Sequence, residues 1–229
     1  MFNKMRLRIF NHLFLIFFIF LNFNNDVFAQ LFIIDQSNYD SVLAINSNFR
    51  LIALKSEVVK QDIKYATADN FTHEIVYDTA AIFLSHDAHA ALLKVIDFLK
   101  PYNVGLIIYD AYRPYRYTVK FWDIIHDDRY VADPKKGSRH NRGCAVDVGL
   151  YNLKTGKPLD MPTAYDDFSE KAAANSKDRT KLQSKNVELL QQAMTCNGFQ
   201  LFASEWWHFD YSGFQQYPIY DISFQELSK

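Results

Sequence analysis

Cysteine, glycine and proline are all scarce in this chain. Across 229 residues there are only two cysteines, Cys144 and Cys196, with seven glycines and six prolines. Two cysteines rule out a disulfide-built scaffold, so stability must come from a packed core. So little glycine and proline rules out a collagen-like or low-complexity chain. Neither sign of charge dominates: 25 Lys and Arg face 26 Asp and Glu, for a net charge of −1. That is no electrostatic footprint for nucleic acid. There are no internal repeats and no linker, and past the first thirty residues no apolar run is long enough to cross a bilayer. What is present is a 49% hydrophobic, 16% aromatic sequence, which suits one globular domain with a full core.

The first 29 residues read as a secretory signal peptide. Lys4, Arg6 and Arg8 precede an unbroken apolar run from Leu13 to Leu21, and Val27-Phe28-Ala29 gives a small-x-small cleavage pattern before Gln30. The run is too short for an ordinary membrane span; an uncleaved anchor is the competing reading. No cysteine lies near the cut, which excludes lipid attachment there. Cleavage removes three basic groups and one acidic group, so the mature chain, residues 30–229, would carry a net charge of −3. The expected location is the periplasm or the cell exterior.

Hydrophobic periodicity outlines the elements. A helix is expected within residues 37–47, followed by an extended piece over 51–54. Residues 65–72 lack a period and read as a loop or edge strand. Ala88, Leu92, Val95, Ile96 and Leu99 recur at helical steps, with Ser85 as N-cap and Pro101 as the stop. Residues 104–109 form a buried strand leading into Asp110-Ala111-Tyr112-Arg113-Pro114, and 115–125 return to helix with Tyr117, Phe121 and Ile124 on one face. After a polar loop, residues 143–151 alternate as a strand. Cys144, Val146, Val148 and Leu150 fall on one side; Gly143, Ala145, Asp147 and Gly149 fall on the other, where small neighbours would leave room beside Asp147 for an ion and a substrate. Residues 152–183 form a long polar stretch, of the kind that is usually functional inside a compact domain. A helix over 184–197 ends near Gly198. A strand over 199–202 then delivers Glu205 and His208, and an aromatic tail packs on the body. Both cysteines read as core thiols.

Two motifs carry chemistry. The first is Ser138-x-His140-x-x-Gly143-x-Ala145-x-Asp147; the second is Glu205-Trp206-Trp207-His208. His140, Asp147 and His208 could supply three ligands to a zinc ion and leave one position open for water. Glu205 is then the spare carboxylate that takes a proton from that water and returns it to a leaving amine. Glu205 and His208 are three apart, which on a flat strand puts them on opposite faces, so a bulge or tight turn must lie between them. Arg113, fixed between a buried strand and Pro114, is placed to stabilise charge on a carbonyl oxygen. Asp110 and Asp166 are candidates for holding Arg113 and a substrate amine respectively. His86 and His89 share a helix face but lack a third partner, and His73 and His126 read as solvated. Ser138 has no Gly-x-Ser-x-Gly elbow around it.

These motifs, with Tyr65-Ala-Thr-Ala-Asp-Asn-Phe-Thr72, Asp110-Ala-Tyr-Arg-Pro114 and the loop from Met161 to Asp166, resemble the VanX-type D-alanyl-D-alanine dipeptidases, a family of zinc peptidases. The resemblance spans about Leu51 to Tyr211. It implies an α+β domain with a central antiparallel sheet carrying one zinc ion, flanked by helices, as in Hedgehog-type domains. It implies zinc on His140, Asp147 and His208, Glu205 as catalytic base and Arg113 as carbonyl-polarising group. It further implies that Ser138 and Asp166 contact the dipeptide, Asp166 near its free amine, and that Tyr65 lines the pocket. The implied reaction is hydrolysis of D-Ala-D-Ala to two D-alanines. Because the leader implies export, the expected role is cell-wall turnover or dipeptide salvage. Ala68 stands where the family often has tryptophan, and Pro162 and Tyr165 replace glycine and phenylalanine; these departures bear on pocket specificity. A D,D-carboxypeptidase acting on longer peptides and a non-catalytic zinc-stabilised binding module are the alternatives. The sequence is silent on oligomeric state.

Overall fold

Asp147 lies on the middle strand of a five-stranded sheet. The computed structural model describes residues 31–229; the expected signal peptide lies outside the described residues. In chain order the elements are β1 (Ile33–Asp35), α1 (Tyr39–Ile45), β2 (Ile52–Ala53), β3 (Val59–Gln61), β4 (Phe83–Leu84), α2 (His86–Leu99), β5 (Val104–Asp110), α3 (Tyr115–Ile124), β6 (Ala145–Asn152), α4 (Lys181–Thr195), β7 (Phe199–Phe202), β8 (Glu205–Tyr211), β9 (Ile219–Asp221) and α5 (Phe224–Leu227). The main sheet runs β3-β5-β6-β8-β7. It is antiparallel except at one edge, where β3 pairs with β5 in parallel. Of the two small pairs, β1–β9 joins the N-terminal and C-terminal segments to each other, and β2–β4 is an antiparallel pair outside the main sheet. This is the expected α+β arrangement.

The elements form where the periodicity places them. In α2 the residues Ala88, Leu92, Val95, Ile96 and Leu99 are all buried, and in α4 Val187, Leu190, Ala193 and Met194 are. These helices pack on one face of the sheet, α2 against β5 and α4 against β6 and β7. Val146, Val148 and Leu150 of β6 join the same hydrophobic cluster. The aromatic tail closes it: Tyr217, Tyr220 and Phe224 are buried. A capping box starts α4, with Thr180 accepting from Gln183 N and the Gln183 side chain accepting from Thr180 N, which satisfies two otherwise orphaned donors.

Four local expectations change. Pro101 does not end the helical path outright: α2 stops at Leu99, and a 3-10 turn over Lys100–Tyr102 carries the proline near its start, where its missing N–H costs nothing. Ile124 is 49% exposed, and Thr118 with Phe121 forms the buried face of α3. Cys144 is buried but Cys196 is exposed, and both are free thiols. Glu205 and His208 sit on their own strand, β8, beyond a hairpin from β7.

Candidate metal centre

His140 is delivered by a 3-10 turn, His140–Arg142, that ends at Gly143 in the left-handed region with φ +62°. A Cβ at Gly143 would lie 2.7 Å from both Leu51 Cδ2 and the Ser85 backbone nitrogen, so only glycine fits the turn. Asn141 fastens the turn. Its Oδ1 accepts from Ser138 N at 2.7 Å, and its Nδ2 donates to Arg113 O at 2.9 Å and Thr118 Oγ1 at 2.8 Å. Arg113 N donates to His140 O at 3.1 Å. The His140 turn and the Arg113 segment, far apart in sequence, are therefore one hydrogen-bonded unit.

Asp147 and His208 are directly paired across β6 and β8. Directly opposed residues share a face, so their side chains meet, and β8 is irregular in its pairing with β7 on its other side. The register passes from Leu201↔Phe209 to Phe202↔Glu205, leaving Trp206 to His208 as excess residues on β8. The expected distortion between Glu205 and His208 is present. It brings the Glu205 carboxylate within 3.7 Å of His208 Nδ1, although the two residues are an odd number of positions apart.

One ligand atom each from His140, Asp147 and His208 lies within 4.8 Å of the others. His140 Nδ1 is 2.6 Å from the Ala111 carbonyl oxygen. That acceptor fixes the proton on Nδ1 and leaves the Nε2 lone pair facing inward. His208 Nε2 is 3.0 Å from Asp210 Oδ1, which in the same way leaves Nδ1 inward. These two inward nitrogens are 3.3 Å apart. Asp147 Oδ1 is 2.9 Å from His208 Nδ1 and 3.5 Å from His140 Nε2, yet this buried oxygen has no aligned hydrogen-bond partner. Three potential ligand atoms are thus crowded together in one buried place. Two nitrogens and one carboxylate oxygen form a donor set suited to zinc. His86 bonds to its neighbour Asp87 and forms no part of such a group among the described residues.

Around these atoms lies a cavity of about 240 Å³, lined by Tyr65, Arg113, Ser138, Tyr165, Asp166, Glu205 and the three candidate ligands, among others. Burial pushes the Glu205 carboxyl up to about 7, against the pull of His208. Burial also raises Asp147, but the imidazoles of His140 and His208 outweigh it and hold this carboxyl low. Arg113 is buried, and its Nε and Nη2 both donate to Asp110 Oδ2, at 3.0 and 2.7 Å. Asp110 also accepts from the Tyr77 hydroxyl and the Ala111 amide. The guanidinium packs against the rings of Phe121 and Tyr65, so its position is fixed from several sides. Asp166 adopts φ +58°, an uncommon conformation for a non-glycine residue. Its Oδ1 accepts from Tyr65 OH at 3.2 Å, while its buried Oδ2 has no partner. Burial, then the charge on Asp147, pushes its carboxyl up to about 8. The site therefore holds a buried carboxyl with one oxygen unpartnered, whose ionised form lacks a cation beside it.

Several contributing groups escaped the sequence reading. Asp210, which orients His208, lies two residues along the same strand and so on the same face; that spacing was the available signal. Tyr165 donates to Asp147 Oδ2 at 2.9 Å, and nothing in the loop sequence indicates it. Gly149 does not leave open space beside Asp147: the Tyr109 ring fills it, with Oη 2.4 Å from where a Cβ would stand. Tyr109 in turn packs on Tyr165, their ring centroids 5.0 Å apart.

The chain is similar in sequence to known dipeptidases. A D-alanyl-D-alanine dipeptidase of Escherichia coli (strain K12) is 37% identical over 158 residues, covering 69% of this chain and 81% of that protein. One from Enterococcus faecium is 29% identical over 171 residues, covering 66% of this chain and 85% of that protein. A crystal structure of a vancomycin-resistance D,D-pentapeptidase in complex with Zn(II) shares 14% identity at a TM-score of 0.39, over 61% of this chain and 78% of that one; so distant a likeness carries no weight. The peptidase M15 model described as D-ala-D-ala dipeptidase matches residues 51–228, nearly all of the described chain, and the protein therefore belongs to that family.

Proposed function

We propose that the chain is an exported zinc dipeptidase that hydrolyses D-Ala-D-Ala to two D-alanines, with His140, Asp147 and His208 holding the ion. The observation that carries this reading is the convergence of three inward ligand atoms in a cavity that also contains a spare carboxylate, a fixed guanidinium and a carboxylate lacking a cation. A structural zinc site needs no such spare base, which speaks against a mere binding module.

Zinc, when bound, supplies Lewis acidity that makes a water molecule easier to deprotonate and a carbonyl easier to attack. The protein's own groups do the rest. A Glu205 Oε atom takes the proton from the attacking water and delivers it to the nitrogen of the departing D-alanine. Burial keeps this carboxyl basic enough to accept that proton near neutral pH. Arg113, held on Asp110, faces the carbonyl oxygen as negative charge develops there. Asp166, supported by Tyr65, receives the substrate ammonium, and the Ser138 hydroxyl contacts the dipeptide.

An unpartnered Asp166 oxygen favours a substrate with a free amine close to the scissile bond. A second reading, a D,D-carboxypeptidase acting on longer peptides, draws support from an apolar groove of about 560 Å³ that continues past Glu205 along Phe168, Phe202 and Ser204. Turnover of D-Ala-D-Ala by the purified mature protein, with and without a chelator and against a pentapeptide ending in D-Ala-D-Ala, decides between them. Faster cleavage of the pentapeptide would sink the dipeptidase reading. No helix among the described residues is long and apolar enough to cross a membrane. With the leader, this supports a periplasmic or secreted enzyme in wall turnover or dipeptide salvage. Cell fractionation checks it, and activity confined to the cytosol would count against export.

A further inference from the structure

A dipeptide is a zwitterion, and the roles proposed so far leave its carboxylate without a cationic partner. Four cationic side chains line the cavity: Arg113, Arg129, Lys136 and Arg139. Arg113 is committed to Asp110 through two nitrogens. Arg129 points its charge at Asp127, to which Nε and Nη2 both donate. Lys136 is a strongly solvated rim group, its side chain 73% exposed and 3.9 Å from Asp128. Arg139 differs. Among the described residues its guanidinium meets a carboxylate only loosely, Nε to Asp210 Oδ2 at 3.6 Å. Asp210 already accepts from His208 through its other oxygen. The Arg139 guanidinium is steadied on the Phe214 ring, 4.9 Å from its centroid, and that leaves its terminal nitrogens available to a planar anion.

Its position along the sheet matters as much as its charge. Ala145, Asp147 and Gly149 alternate onto one face of β6, with about 14 Å between the outer two at roughly 3.4 Å per residue. At the Gly149 end, Tyr109 supports Tyr165, and Asp166 follows. At the other end, Ala145 pairs with Asp210, the residue beside Arg139. Asp147 and the candidate metal lie between them. The cavity is therefore lined by a carboxyl, Asp166, toward one end and by a guanidinium, Arg139, toward the other. An extended dipeptide places its two charged termini about 7 Å apart. We propose that Arg139 pairs with the substrate's C-terminal carboxylate and makes the enzyme select free dipeptide acids over amides, esters and peptides extended at that end. This rests on the dipeptidase reading above.

The test compares D-Ala-D-Ala with D-Ala-D-alaninamide in zinc-loaded wild type, Arg139→Gln, Arg139→Lys and Lys136→Gln. Wild type should favour the free acid by about 10- to 100-fold in kcat/KM, the range of a charge-assisted hydrogen bond. Arg139→Gln should lose that preference through KM, with amide turnover and zinc stoichiometry unchanged, and Arg139→Lys should regain part of it. Lys136→Gln should keep it. Calorimetric binding of the two ligands to Glu205→Gln, with and without Arg139→Gln, should give the same ratio without turnover. If Arg139→Gln lowers both substrates equally, or releases zinc, the residue merely supports His208 through Asp210 and the inference fails. If the preference follows Lys136, or persists without Arg139, the inference fails while the dipeptidase reading stands. If wild type cleaves neither compound, both fall.

Discussion

Glu205 and Asp166 are both carboxylates raised by burial, yet their removal should produce different defects. Glu205→Gln keeps the shape and removes the proposed proton acceptor. It should lower kcat by about 10²- to 10⁴-fold while bound zinc, measured by metal analysis, stays near one per chain. Loss of zinc would instead mark Glu205 as a ligand. Asp166→Asn should act on binding, raising KM for the dipeptide more than it lowers kcat. Asp166 also carries a pH signature. Its carboxyl titrates near 3.8 when unperturbed and is pushed up to about 8 in the fold. Between roughly pH 4 and 8 the unfolded chain releases a proton that the folded chain keeps, so folding stability falls as pH rises through that window. Asp166→Asn should flatten this slope and make the metal-free protein more stable at pH 8. Thermal unfolding across pH would show it, and an unchanged slope would contradict the assigned burial.

At the scale of elements, the His140 turn and the cap of α4 should respond in different ways. Gly143→Ala forces a side chain into a left-handed residue packed against Leu51 and Ser85. It should cost about 1–3 kcal/mol of stability and reduce activity too, because the same turn carries His140. Thr180→Ala removes a capping box remote from the cavity. It should cost about 1 kcal/mol and leave kcat/KM intact. Denaturant titration with parallel assays separates the two. The helices and central strands were legible in sequence because their apolar periods are strong: α2 buries the residues its spacing selects. The β7–β8 hairpin was legible only as a requirement, through the odd spacing of Glu205 and His208. Its actual register, with three extra residues on β8, follows from packing Trp206 and Trp207 in the core. Ile124 was misplaced because α3 packs on a narrow stripe, so a residue on the apolar side can still reach solvent.

For the whole molecule, metal binding and folding should be linked, since the proposed ligands from a 3-10 turn, β6 and β8 come together only in the native chain. Chelation should abolish dipeptide hydrolysis and lower Tm, and added zinc should restore both; a Tm indifferent to chelator would contradict the assigned centre. The sequence by itself determined the residue types, the two motifs and the elements that bear them, because ligand chemistry and hydrophobic period are local properties. Only the tertiary structure decided which lone pairs face inward, since the Ala111 carbonyl and Asp210 orient the two imidazoles. It also decided that Tyr109, and not substrate, occupies the space over Gly149, and that Arg113 is held by Asp110 while Arg139 is held only loosely. Such assignments depend on distances between side chains remote in sequence, which exist only once the core has set the strands in register.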